Sequence, residues 1–301
     1  MENNYHVPVL LKECIDGLAI KPNGVYVDVT FGGGGHSREI LKHLGAAGVL
    51  IAFDQDPDAQ RNKIDDPRFH FVDQNFAFLK NNLRLLGYKE VDGILADLGV
   101  SSHQFNEPER GFSTRFESAL DMRMDKQGKL TAAEVLNTYT EDKLHKIFGI
   151  YGEVKNAKSL AKAVVTGRVE QPIETLADFK KAVAVHIPKG KENKYMAQVF
   201  QALRIEVNAE IDVLESFLTQ TAEVLKNGGR LVVMSYHSLE DRPVKSFLAK
   251  GKFRGEVEKD FYGNEQKPFK VITRKAVMAD ADELERNSRS RSAKLRIGEK
   301  L

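Results

Sequence analysis

Four consecutive glycines, Gly32 to Gly35, stand between the apolar run VYVDVTF and the helical pattern HSREILKHLG. Bare backbone in that place lets a ligand approach closely and leaves N–H groups aimed at it from the start of a helix, which suits a nucleotide-like molecule. Spacing excludes two common loops. GGGGHS lacks the Gly-Lys-Ser/Thr ending that grips a triphosphate. A dinucleotide loop needs G-x-G-x-x-G, but a start at Gly32 puts Ser37 at the third glycine and a start at Gly33 puts Arg38 there. Asp54 ends the next β-rich run, about twenty residues on, where a carboxylate accepts both hydroxyls of an adenosine ribose. Asp28, Asp73 and Asp97 end three further runs. So many carboxylates repel a pyrophosphate and favour a ligand carrying a sulfonium and an ammonium, the charge balance of S-adenosyl-L-methionine. Each acid alone is equally a helix cap or a turn former, and a nicotinamide dinucleotide is the alternative ligand.

These residues need a scaffold that brings strand ends together. Short β-rich runs occur at VYVDVT (25–30), VLIAFD (49–54), FHFVD (69–73), VDGILADLG (91–99), RLVVMSY (230–236) and KPFKVITR (267–274), the first four separated by helix-length stretches. Apolar runs punctuated by helices imply a doubly wound α/β fold, a mostly parallel sheet covered on both faces. Its ligands sit at the carboxyl ends of the strands near the topological switch point, which is where the glycines fall.

About 130 residues separate the fourth run from the fifth, far more than a crossover of a dozen or so. The chain is therefore expected to consist of one domain from 1–104 and 206–301, with a helical domain inserted at 105–205. Ala157, Leu160, Ala161, Val164 and Val165 recur at helical spacing. Met196, Phe200, Leu203, Val207, Ile211, Leu214 and Leu218 extend a 3/4 pattern over six turns. The stretch SSHQFNEPERGFSTRFESALDMRMDKQGK shows no period and is expected to be loop.

Composition sets the outer bounds. With 301 residues, 42% hydrophobic and 29% charged, the chain can bury a full core. The single cysteine, Cys14, cannot close an internal disulfide, and no Cys/His spacing of the zinc type is present, so no metal is expected and a reducing, cytoplasmic setting is. The N-terminal MENNYHVPVLLKEC lacks the apolar stretch of a signal peptide, and no run of about 18 apolar residues suggests a membrane span. Net charge is only +2, but Lys155 to Arg204 holds ten Lys/Arg against four Asp/Glu, and RNSRSRSAKLR (286–296) has five basic residues and no acid. Either patch could attract a phosphate backbone, or be an ordinary solvated face.

VDVTFGGGGHS, LADLGVSSHQF, RGFS, LDMRM and SYHSLEDR, with the basic RSRSAKLR, resemble the bacterial small-subunit ribosomal RNA cytosine-N4 methyltransferase family, RsmH or MraW, along nearly the whole chain. The resemblance implies a class I S-adenosyl-L-methionine-dependent methyltransferase fold with an inserted substrate domain. It implies methylation of the exocyclic N4 of a cytidine in the decoding region of 16S ribosomal RNA, with that RNA or the assembling small subunit as partner. Carried over position by position, it places cofactor contacts at Gly34, Gly35, His36, Asp54, Phe76, Asp97 and Gln104. The unbroken glycine run is a mild variation on the family's loop.

Methyl transfer to a cytosine amine must first loosen a lone pair that is delocalised into the ring, which acceptors set against the N4 hydrogens can do. Many amino-methyltransferases use an Asp/Asn/Ser-Pro-Pro-aromatic motif after the fourth strand. Here Asp97-Leu98-Gly99-Val100-Ser101-Ser102 holds neither the prolines nor the ring. Candidates for acting on the base are Asp97, Ser101 and His237, with Phe105, Phe112 or Tyr236 as stacking surfaces. Each has a plainer role: Asp97 holding cofactor, Ser101 and Ser102 capping a helix, His237 a structural hydrogen bond, the phenylalanines core. SLEDR also reads as a cap, Ser238 with Asp241. Arg115, Arg123 and the basic 155–204 segment suit RNA phosphates. A non-catalytic RNA-binding assembly factor is the second functional class, and a nicotinamide-dependent oxidoreductase the third.

Overall fold

The computed structural model describes residues 8–301; residues 1–7, which open the N-terminal stretch read above for targeting, lie outside them. The apolar runs become strands because they can be buried on both faces. β1 (Val25–Asp28), β2 (Val49–Phe53), β3 (Phe69–Val72), β4 (Val91–Asp97) and β5 (Leu225–Ser235) pair in parallel. Two antiparallel strands, β6 (Phe269–Val271) and β7 (Lys294–Lys300), complete the order β3-β2-β1-β4-β5-β7-β6. Successive residues serve opposite layers. Val27, Ile51, Ile94 and Val233 pack with Phe217 and Leu218, whereas Tyr26, Leu50, Leu95 and Val232 pack with Cys14, Leu18 and Ile40. Each such buried side chain contributes on the order of 1.5–3 kcal/mol.

The flanking helices are α1 (Leu11–Leu18), α2 (Gly35–His43), α3 (Leu79–Leu85) and, later in the chain, α10 (Glu210–Val224), α11 (Ser238–Lys250) and α12 (Ala281–Arg286). No helix of the described residues is long and apolar enough to cross a membrane. Strand order reverses between β1 and β4, so the loop after β1 opens at the switch point.

The basic C-terminal stretch is a correction to the sequence reading. Its last residues form β7, inside the sheet between β5 and β6. Leu295 and Ile297 are buried on one face, while the buried Arg296 reaches Asp241 with Nε and Nη2 at 2.6 and 3.0 Å. The alternation K-L-R-I that opens it is strand periodicity, masked by the charges of Lys294 and Arg296.

The chain divides into two compact units, one ending at Gly99 and resuming at Asp212, the other Val100–Ile211. The second holds α4 (Ser102–Asn106), α5 (Ala132–Thr138), α6 (Glu141–Ile150), α7 (Ala157–Glu170), α8 (Leu176–Val183) and α9 (Glu192–Val207). Thr131, Thr140 and Thr175 cap α5, α6 and α8, each accepting the N3 amide. Leu160, Ala161 and Val164 of α7 meet Phe148, Val199 and Leu203 in its core. The expected six-turn helix across 196–218 is two. α9 ends at Val207, Asn208 and Ala209 (φ 47°) break the ladder, and α10 starts at Glu210. The Asn208 side chain accepts from the Met124 amide at 2.8 Å and donates to the Met122 carbonyl at 2.8 Å, tying LDMRM to the break. That stretch is not free loop: Phe112, Leu120 and Met122 are core.

Candidate active site

The carboxyl edge of the parallel sheet is organised by acids that the backbone cannot leave unsatisfied. β1 ends at Asp28, which is 1% exposed. Its carboxylate accepts from Ser37 Oγ at 2.7 Å and from the Thr30 amide at 3.1 Å, which ties the end of the strand to the first turn of α2. Thr30 Oγ in turn accepts from the Asp97 amide at 2.7 Å, joining β1 to the end of β4. Between them the chain turns through Gly32 (φ 49°) and Gly34 (φ 73°) into α2. A Cβ at Gly34 would lie 2.8 Å from the Phe31 ring, so both conformation and space demand glycine there, while Gly33 faces open space.

Asp54, just past β2, holds this loop from the other side. Its carboxylate oxygens accept from the Gly32 amide and the Asp56 amide, both at 2.8 Å. Burial raises its pKa to about 6, against those two hydrogen bonds. Asp97 Oδ1 accepts from Tyr236 Oη at 2.8 Å, and Oδ2 lies 4.0 Å from His36 Nδ1, whose ring Nε2 is 3.1 Å from the Val9 carbonyl. Burial raises the Asp97 carboxyl to about 6, with His36 and Tyr236 opposing the shift. Desolvation likewise pushes Asp28 up.

The structure thus gathers Gly34, Gly35, His36, Asp54 and Asp97 at adjacent strand ends. Phe76 begins a 3₁₀ turn after β3, its ring 5.2 Å from that of Phe217, and Asn75 links the turn to Gln55 at 2.7 Å. Asp73, the fourth strand-end acid, is exposed and takes a hydrogen bond from Gln60 instead of joining the buried set. Ser101 and Gln104 belong to the second unit. They form a capping box at α4, Ser101 Oγ accepting from the Gln104 amide at 3.1 Å and Gln104 Oε1 from the Ser101 amide at 3.0 Å. The Ser102 side chain lies outside what the structure describes. In the same unit Phe112 is core, Phe105 lies under the Arg115 guanidinium at 5.5 Å, and Arg123 is paired to Asp121 at 2.7 Å.

A family model described as the MraW methylase family matches residues 3–301. The chain belongs to the MraW methylase family. Relatives named ribosomal RNA small subunit methyltransferase H share that length. The one from Christiangramia forsetii is 57% identical over 297 residues, covering 99% of this chain and 98% of the relative. That from Cytophaga hutchinsonii is 57% identical over 298 residues (98% and 99%), and that from Bacteroides thetaiotaomicron 56% over 299 (99% and 98%). With its antiparallel β7 beside β5, the sheet is the class I S-adenosyl-L-methionine-dependent methyltransferase arrangement, and the methylase's cofactor is S-adenosyl-L-methionine.

The residues fit that cofactor. Asp54 retains a lone pair on each oxygen for a ribose hydroxyl. Asp28, Asp54 and Asp97 bring three carboxyls to neighbouring strand ends, which favours a cationic ligand and disfavours a pyrophosphate.

Sequence reasoning missed two partners of this site. Tyr236 was a stacking candidate, yet its hydroxyl is committed to Asp97. Glu240, 3% exposed, accepts from the Tyr236 amide at 2.9 Å and lies 3.1 Å from His237 Nε2. The cap expected from Ser238 and Asp241 is displaced accordingly: His237 is the N-cap, Glu240 reaches back over the first turn, and Asp241 is spent on Arg296. The signal for Glu240 was its i, i+3 spacing from His237.

Proposed function

We propose that this methylase transfers a methyl group to the exocyclic N4 of a cytidine in the decoding region of small-subunit (16S) ribosomal RNA, acting in the cytoplasm on that RNA or on the assembling small subunit. The observation that carries this reading is the 57% identity over nearly the whole chain to relatives named for methylation of that RNA. S-adenosyl-L-methionine supplies the electrophilic methyl group when bound. Gly34, Gly35, His36, Asp54 and Phe76 hold it, and Gln104 is the remaining residue that the resemblance assigns to the cofactor. The helical unit, expected from the sequence at 105–205 and compact over Val100–Ile211, binds the RNA.

Asp97 acts on the base. Its carboxylate is fixed by Tyr236 and remains 24% exposed, so it can accept a hydrogen from the N4 amine and draw the nitrogen lone pair out of conjugation. An acceptor raised to about 6 is also matched to taking up the proton that the amine loses. His237, oriented by Glu240, is the second group proposed to act on the base, and Ser101, the N-cap of α4, is the third.

Incubation with isotopically labelled S-adenosyl-L-methionine and either bare 16S RNA or small subunits, followed by nucleoside mass spectrometry, tests the reaction, the base and the substrate form together. Label in N4-methylcytidine is expected. Label in another nucleoside, or in none with either substrate, overturns the reading.

A further inference from the structure

The basic segment of the helical unit is not uniformly available. Lys180 is paired with Glu117 at 2.8 Å, Arg204 with Glu210 at 2.8 Å, and Arg168 is spent on the Leu136 and Tyr139 carbonyls. Lys155, Lys158 and Lys162 differ: all three are exposed, and none has an ion-pair partner among the described residues. Lys158 and Lys162 stand one turn apart (i, i+4) on α7, and Lys155 lies just before its N-cap Asn156.

All three line one groove of about 510 Å³, which His145 and Gly149 of α6 close from the other side. Ser159 and Lys162 also border a second cavity of about 640 Å³ that continues to Lys181 on α8. Glu141 is the one acid in the lining of the first. Glu170 and Asp178 line the second, where Asp178 is engaged by the Thr175 amide at 3.0 Å and hydroxyl at 2.7 Å. Positive charge is therefore concentrated on the α6–α7 side.

Unpaired ammoniums on solvated stems keep little desolvation cost and attract a polyanion strongly. No large aromatic or aliphatic side chain lines the groove as an anchor for a protein partner: its apolar members are Ala157 and Val154, both buried. We propose that the α6–α7 groove, through Lys155, Lys158 and Lys162, seats the sugar–phosphate backbone of the substrate RNA. The inference rests on the RNA-methylase reading above and adds to it where the strand is gripped. Such contacts fix register and orientation and carry no sequence information.

The test uses the full chain and bare 16S RNA. The variant Lys155→Glu/Lys158→Glu/Lys162→Glu should bind that RNA at least tenfold more weakly near 0.1 M salt, with the log–log salt slope flattened by about two to three units. Its calorimetric affinity for S-adenosyl-L-methionine and its melting curve should match the wild type. Reversal at the exposed Lys189, Lys191 and Lys194, which line neither cavity, should cost less than threefold. Unchanged RNA affinity and slope in the first variant would overturn the groove, as would equal losses in the two variants, which mean diffuse attraction. Loss on intact small subunits but not on bare RNA would also overturn it, because the partner is then a ribosomal protein. A wild-type chain that methylates the RNA while the groove variant binds normally rejects the groove alone. A wild-type chain that binds neither bare RNA nor small subunits rejects the functional reading beneath it as well.

Discussion

The carboxyl edge of the sheet and the outer side of α7 treat charge in opposite ways. At the sheet edge, acids are buried or half-buried and held by the chain's own donors: Ser37 and Thr30 on Asp28, Gly32 and Asp56 amides on Asp54, Tyr236 on Asp97. Along and just before α7, Lys155, Lys158 and Lys162 are exposed and none has an ion-pair partner among the described residues. A buried carboxylate must be positioned by its fold and resists ionisation, which suits chemistry on one bound atom. An exposed cation is positioned loosely and stays charged, which suits grip on a long polyanion. Loss at the first region should appear in cofactor affinity and rate, and loss at the second in RNA affinity.

The largest expected effect breaks the edge directly. Gly34→Val places a branched side chain at φ 73° against Phe31, and should weaken S-adenosyl-L-methionine binding by about 10²-fold or more in calorimetry. Undiminished affinity would remove the loop from the site. Next is pH. A cationic ligand prefers the ionised carboxylates, whose pKa values lie at about 6, so affinity should be full above pH ~7 and fall toward tenfold per unit below about 6. A profile flat down to pH 5 would contradict the charge argument. Smaller still, Tyr236→Phe keeps the ring but removes the donor to Asp97. Single-turnover methylation should slow by roughly 5–10-fold, and the acid limb of its pH profile should move upward, since the hydroxyl holds the Asp97 pKa down. No movement of that limb would make the contact merely structural.

The smallest effect concerns stability, and its sign is opposite to that of a surface ion pair. An acid whose folded pKa lies above its unfolded value costs stability once pH passes that unfolded value, and the cost is complete above about 6. Asp97→Asn removes the charge and retains an acceptor for Tyr236. The unliganded variant should therefore melt about 2–4 °C higher at pH 7.5, with the gain fading toward pH 4. A lower melting temperature would mean the carboxylate stabilises the unliganded fold.

The parallel strands and the glycine loop were legible because strands covered on both faces are apolar throughout and end at recognisable turns. β7 was not, since Arg296 and Glu299 interrupt its apolar residues and its ion pair with Asp241 spans 55 positions. The break at Asn208–Ala209 was hidden because apolar spacing continues across it from Val207 to Ile211. The capping box of Ser101 and Gln104 is local and could be read from spacing alone. Tyr236 and Asp97, 139 positions apart, meet only once β4 and β5 pair, which no local pattern encodes.

The most direct test of the account is single-turnover methylation of 16S RNA by Asp97→Asn at saturating S-adenosyl-L-methionine and saturating RNA, with RNA affinity measured in parallel. A rate lower by roughly 10²-fold or more, with RNA affinity equal to that of the wild type, is the predicted result. A full rate at saturation would contradict a role for Asp97 in the chemistry and confine it to holding the cofactor.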